Sequence, residues 1–473
     1  TSPDLPWTMK FFNALIISLG FIFFYLFANE LMGSRNKALL ATAILAMIPA
    51  YLSHFIWAHS LIITIFFPLM YALHKSMEDK RWLYLVVLLS ASVWVTQNLE
   101  QPIKLTTMVL IYLMVFSIGY RKILWKQLAA LAGGITLSFL WWGVMITKYG
   151  LKNFLAYYGG DVINTGDTIV LSSQGNGGFE PLSILVSAWQ AATNPSGSAS
   201  RTYSFSDFFF AKSQNMINNP IGIGVVLSIL ALVGVVLLIW KYRSSIVQKE
   251  NTWRALVLFW LIFAFWGVNG LNFPISVARG AFRVWMLLAV AVSLIAAESI
   301  YLLKDSQKSK LFGYGIMLLV LAGILLTSGM QKFELNTVIW PTSGSFPNPS
   351  QPFQYGAWFD SIPDNTKVFL YSPRDKLVIG YGKFSCMWCQ DLVDFREDII
   401  HKDAKELYSF LKRNEYEYLV LNAPMDFKYL SSKFKEVENI EELINKRYQE
   451  ILTAGYFTPI HKIDENIFVF KVN

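Results

Sequence analysis

The sequence predicts a polytopic α-helical membrane protein of about ten transmembrane helices, followed by a C-terminal extracytoplasmic α/β domain. Three observations predict it. Of 473 residues, 54% are hydrophobic, 16% aromatic and only 15% charged, whereas a soluble domain carries about 25% charged residues. The apolar residues are concentrated before about residue 331. Lysine and arginine alternate along the chain between loops rich in them and loops nearly free of them.

Ten apolar runs supply the helices: Phe11–Leu31, Ala38–Trp57, Leu61–Leu73, Trp82–Val95, Leu105–Gly119, Leu128–Ile146, Ile221–Trp240, Ala255–Val268, Val284–Tyr301 and Leu311–Thr327. Most approach the roughly 17 to 25 residues of a full crossing once their flanks are counted. The third and fourth are short, so one partly spanning hairpin is the alternative reading there. The connections "GSRNK", "HKSMEDKRW", "YRKILWK", "KYRSSIVQKENTWR" and "LLKDSQKSK" carry fifteen Lys and Arg; "WAHS", "NLEQPIK" and "NGLNFPISVAR" carry two. The asymmetry assigns the first set to the cytoplasm and both termini to the outside of a cell membrane. The net charge of +8 then reads as orientation charge, and no nucleic-acid partner is expected.

The predicted domains are residues 1–331, a transmembrane domain with a long external loop at 148–219, and 332–473, a soluble domain. The loop is rich in Gly, Ser, Asn and aromatics, a composition that suits a functional lid or a disordered connector. Within it, "PLSILVSAW" has the spacing of an interfacial helix. In the soluble domain, "TKVFLYS" and "YEYLVLNA" read as strands and "AKELYSFLKRNE" as an amphipathic helix. "PIHKIDENIFVFKV" reads as a hairpin turning at Asp464–Asn466. The first residues, "TSPDLPWTMK", show neither an initiator Met nor a signal-peptide pattern, so the chain reads as a fragment or processed form lacking an N-terminal piece.

Two cysteines exclude a disulfide-rich scaffold. "SCMWCQD" is a single CxxC and only half a zinc site, with His401 isolated from it. A local disulfide is expected in an external domain, with reduced thiols as the alternative.

Polar groups gather where the helices reach the outer face: His54, His59, Glu100, Lys104, Arg279 and Arg283. A transporter would instead place charges inside its spans. Arg279 and Arg283 stand at i, i+4 on one helix face. Guanidinium groups there suit a lipid phosphate or pyrophosphate, or they snorkel to head groups without specificity.

Two stretches carry a family resemblance. "IPAYLSHFIWAHSLIITIFF" resembles the second external loop of the oligosaccharyltransferase catalytic subunit and its archaeal relatives, where "IPxYxSR" runs into an acidic "D-N-E" segment. "VARGAFRVWMLLAVAVSLIAA" resembles that family's "MVRLML" helix, whose arginine faces the lipid-linked donor. The order of helices, long loop and terminal domain is also similar to these GT-C superfamily glycosyltransferases.

The resemblance implies transfer of a sugar or oligosaccharide from a polyprenyl-phosphate-linked donor to a protein or glycan acceptor at the outer membrane face. Arg283 corresponds to the donor-binding arginine, with Arg279 beside it. His54 stands at the family's arginine and His59 near its acids, as a metal ligand or base, or as a structural interfacial histidine. Glu180 in "GNGGFEPLSI" corresponds to an acceptor-site glutamate. Asp161 and Asp167 are the other loop carboxylates in reach, and Glu100 completes the outer cluster. The family's divalent metal, Mn or Mg, and its catalytic acid are expected from a loop upstream of Thr1.

The departures are "WAHSL" in place of the acids, and "VFLYSPRDKLVIGYG" where the family's acceptor-reading "WWDYG" belongs. Asp375 in that stretch reads as a surface turn or an acceptor ligand. The second function class is a catalytically degenerate scaffold subunit of a larger membrane complex; a transporter ranks third.

Overall fold

The computed structural model describes residues 5–51, 58–97, 100–151, 161–165, 168–172, 203–211, 221–246, 248–269, 281–339, 351–387, 389–434 and 436–473. The chain divides into two compact units. One comprises Thr1–Lys148 and Gly177–Trp340, the other Tyr149–Asn176 and Pro341–Asn473.

The first unit is helical: α1 (Leu5–Met32), α2 (Arg35–Met47), α3 (Ala58–Lys75), α4 (Trp82–Thr96), α5 (Glu100–Gly119), α6 (Trp125–Tyr149, its last residue in the other unit), a short α7 (Phe205–Phe209), α8 (Val225–Tyr242), α9 (Thr252–Val268), α10 (Ala281–Asp305), α11 (Lys310–Ile324) and α12 (Met330–Ile339). Every one of the ten apolar runs supplies a helix. Among the described residues seven helices are long and apolar enough to cross a membrane, which makes the chain an integral membrane protein. The second run stops early. Helix α2 ends at Met47 because Ile48 is extended (φ −71°, ψ 122°), the conformation imposed on a residue that precedes proline.

Helix α10 is the axis of this unit. It packs against α2, α8, α9 and α11, and 83% of its apolar window is buried, against 17% for the Lys310–Glu334 span. In lipid the hydrophobic effect does not drive helices together, so close approach of small residues must do so. Ala289, Ala291, Ser293, Ala296, Ala297 and Ser299 line α10 and are all buried. Gly234 of α8 meets it so closely that a Cβ there would lie 2.3 Å from Ser299 Oγ. Gly134 of α6 sits equally tightly on α4, where a Cβ would lie 2.5 Å from the Val87 carbonyl oxygen.

The basic loops share one face of this unit. Glu298, fully buried inside the α10 span, accepts from Lys37 at 2.6 Å and from Arg254 at 2.7 Å. Lys75 pairs with Glu30 at 3.0 Å. Arg254 stacks over Tyr242 and Lys249 over Tyr120. The spans are therefore not wholly free of buried charge, but the charge is neutralised at this face.

The second unit holds a two-stranded antiparallel hairpin, β1 (Asp161–Thr165) with β2 (Thr168–Ser172), and a four-stranded sheet. Its further elements are α13 (Gln351–Asp360), β3 (Val368–Leu370), α14 (Asp375–Gly380), α15 (Gln390–Glu397), α16 (Ala404–Arg413), β4 (Tyr418–Asn422), α17 (Ala423–Lys433), α18 (Ile440–Thr453), β5 (Phe457–Asp464) and β6 (Ile467–Val472). The sheet order is β3-β4-β6-β5, with β3 and β4 parallel and the other pairs antiparallel. Alternation sends Phe369, Leu419 and Leu421 to one core, and Val368, Leu370 and Val420 to another. Helices cover both faces. The predicted strands, helix and terminal hairpin are all present, and Asp403 caps α16 reciprocally with Glu406. Cys386 and Cys389 form the expected local disulfide.

Asp375 differs from expectation. It is neither a surface turn nor an available acceptor ligand: it is buried, accepts from Ser385 Oγ at 2.5 Å, and pairs with Arg396, which also donates to the Leu370 carbonyl. Its carboxylate locks α15 to the end of β3.

Asp426 joins the carboxyl ends of β3 and β4. It accepts from the Ser372 and Asn422 amides at 3.0 and 2.9 Å and from Tyr448 Oη. Burial nevertheless pushes its carboxyl up from 3.8 to about 6.

Gly134→Ala drives a methyl into backbone and lowers the thermal midpoint in detergent by a destabilisation of about 1–3 kcal/mol, while Gly143→Ala, with nothing within 4 Å, leaves it unchanged. For Asp426 the raised folded-state value means that the native chain binds the extra proton. Its contribution is present at low pH and is lost as pH rises towards about 6. Amide-exchange protection of Leu370 and Val420 in wild type, measured relative to Asp426→Asn, should thus fall by roughly 3 kcal/mol between about pH 3 and about pH 7. A flat or rising difference contradicts this.

Candidate functional site

The end of the first unit remote from the basic loops is built around the turn that follows α2. Pro49 stops the helix. The Ala50 amide then donates to the Gly222 carbonyl at 3.1 Å, and the Tyr51 amide to Ile48 at 3.2 Å. Tyr51 is fully buried against Phe21, and its hydroxyl has no hydrogen-bond partner among the described residues.

Facing this turn, Leu325–Gly329 winds as a π-helix between α11 and α12, a distortion often found at functional sites. The wider turn lets Ser328 donate to the Ile223 carbonyl at 2.8 Å, and Thr327 accept from the Val226 amide at 3.3 Å. Gly224 makes this contact possible: its φ is +98°, and a Cβ would lie 2.0 Å from Ser328 Oγ. Helix α7 closes the network. The Phe208 carbonyl accepts from Ile223 and Gly224, the Ala211 amide donates to Gln331, and Phe208 and Tyr203 pack on Trp285.

Lys332 lies in the middle. Its side chain is buried, and Nζ donates to the Tyr51 carbonyl at 2.9 Å, 5.8 Å from that ring's centre. Among the described residues no Asp or Glu pairs with it. A buried lysine held by a single neutral carbonyl leaves donor capacity uncompensated. An anion is the complementary ligand.

The predicted site residues are only partly gathered here. Arg283 stands in the first turn of α10, half-buried, two residues before Trp285. Lys104 is buried one turn into α5, three residues after Gln101, whose Nε2 lacks a partner among the described residues. Glu100 opens α5, His59 is the second residue of α3 and Asp161 opens β1, but their side chains are not among those described. His54, Arg279, Asp167 and Glu180, like the "PLSILVSAW" stretch, lie outside the described residues.

Sequence reasoning missed Lys332. Read along the chain it merely follows an apolar run at the expected domain boundary; only its contact with Tyr51, 281 residues away, reveals its burial. For the divalent metal that the resemblance implies, no group of three or more His, Cys, Asp or Glu able to hold an ion occurs among the described residues.

No protein-family model matches the chain, and no curated protein matches it. Among solved structures the chain is similar to the crystal structure of ArnT from Cupriavidus metallidurans bound to undecaprenyl phosphate. The TM-score is 0.48 and the identity 11%, over 98% of this chain and 84% of that one.

Proposed function

We propose that this protein is a GT-C-type membrane glycosyltransferase that takes a sugar or oligosaccharide from a polyprenyl-phosphate-linked donor. The observation that carries the reading is Lys332, a buried ammonium with no acidic partner among the described residues. It sits at the bundle end to which α10 brings Arg283. A phosphate satisfies such a cation, and the isoprenoid tail of the donor matches the apolar flanks of the helices.

The residue resemblance supports the same chemistry. In this reading Arg279 joins the phosphate site, and Glu180 with the 148–219 loop closes over the acceptor. Loop charge supports an extracytoplasmic position for both termini and for the second unit. The oligosaccharyltransferase-like character and the acceptor, protein or glycan, belong to this proposal.

A second reading, a catalytically degenerate scaffold subunit, is favoured by "WAHSL" standing where the resembled family carries its acids.

The test is transfer from a polyprenyl-phosphate-linked sugar by the chain in lipid nanodiscs. Losing a charge-assisted phosphate contact of about 1.5–3 kcal/mol predicts that Lys332→Ala and Arg283→Ala each lower kcat/KM by roughly 10- to 100-fold, with Lys332→Arg retaining part of the activity. Unchanged turnover in both alanine variants removes the phosphate assignment. Absence of transfer by wild type, together with a stably co-purifying membrane partner, favours the scaffold.

A further inference from the structure

The opposite face carries a second concentration of cations. The loop after α3 and the loop before α6 are fastened together, because Gln127 Nε2 donates to the carbonyl and hydroxyl of the buried Ser76 at 3.3 and 3.2 Å. The acids of this region are already engaged. Glu78 pairs with Lys75 at 3.0 Å, and Asp79 with Arg81 at 2.9 Å. The loop "YRKILWK" contains none.

Three lysines are left over. The Lys126 side chain approaches that of Lys80, and Lys122 lies near Lys126, four residues earlier in the chain. All three are exposed, and none pairs with a carboxylate among the described residues. Lys126 lies in the first turn of α6, which has no acidic residue. The positive end of a helix dipole disfavours cations there and favours an anion. Apolar side chains flank the cluster where the spans begin: Trp125, Ile123 and Tyr84 are 63%, 59% and 76% exposed. Aromatic residues at that depth mark a membrane–water boundary.

We propose that Lys80, Lys122 and Lys126 form a headgroup site for an anionic phospholipid. The lysines and the α6 terminus meet the phosphate, while Trp125, Ile123 and Tyr84 lie along the upper acyl chain. A lipid is favoured over a free phosphate because these apolar groups adjoin the cations. The inference is independent of the donor site, which lies at the other end of the bundle.

Native mass spectrometry of the full chain in neutral detergent tests it, with phosphatidylglycerol, phosphatidylcholine or inorganic phosphate added. Wild type should retain phosphatidylglycerol in preference to phosphatidylcholine. The Lys80→Gln/Lys122→Gln/Lys126→Gln variant should lose about tenfold or more of that occupancy, with an unchanged melting midpoint. Lys241→Gln/Lys308→Gln/Lys310→Gln, which removes three other exposed charges of the same face, should keep it. Equal retention by the first variant overturns the site, and equal loss in the second reduces it to diffuse surface charge. Displacement of the lipid by an equal concentration of inorganic phosphate overturns the choice of a lipid.

Discussion

A charge removed from water must be met by an opposite charge or by hydrogen bonds, and the architecture of this chain follows that requirement. Glu298 is tolerated inside the central span because Lys37 and Arg254 reach it from α2 and α9. In the second unit, Asp375 is tolerated because Arg396 and Ser385 do the same. These groups fasten helices and strands together. Lys332 stands apart: also buried, it is met by a neutral carbonyl. The contrast separates charges that hold the fold from one that suits a ligand.

Close backbone packing is the second constraint, and it shapes the same site. Helix α10 buries most of its length, with alanines and serines among its buried residues, and glycines on α8 and α6 let neighbouring helices approach. Near Lys332 the same device appears in sharper form. Gly224, at positive φ, accommodates the π-helical turn at Ser328. That turn, with the proline-terminated end of α2, brings residue 332 against residue 51. The proposed anion site is thus a consequence of two interruptions in helical regularity, one from Pro49 and one from the π-turn.

The fold was legible to a large extent, because its signals are local. Apolar runs of spanning length, the amphipathic pattern of α16 and the turn at Asp464–Asn466 need no distant partner, and each appears where expected. The misreadings are of the opposite kind. Helix α2 ends ten residues before its apolar run does, because the residue ahead of Pro49 cannot stay helical. Asp375 looks like a turn residue until Arg396, 21 positions away, is seen beside it. Of the candidate site, Arg283 and Lys104 were readable as cations near helix ends, whereas Lys332 was not.

By itself, the sequence determined the membrane character, the positions of the apolar helices, the segregation of basic loops and the α/β nature of the terminal domain. Each depends on composition, on periodicity or on the chemistry of near neighbours. Tertiary structure alone decided which charges are neutralised and which are not. A lysine's environment is set by whatever side chains and carbonyls the fold carries to within about 3 Å of it; for Lys332 that neighbour is the carbonyl of Tyr51, 281 residues earlier in the chain.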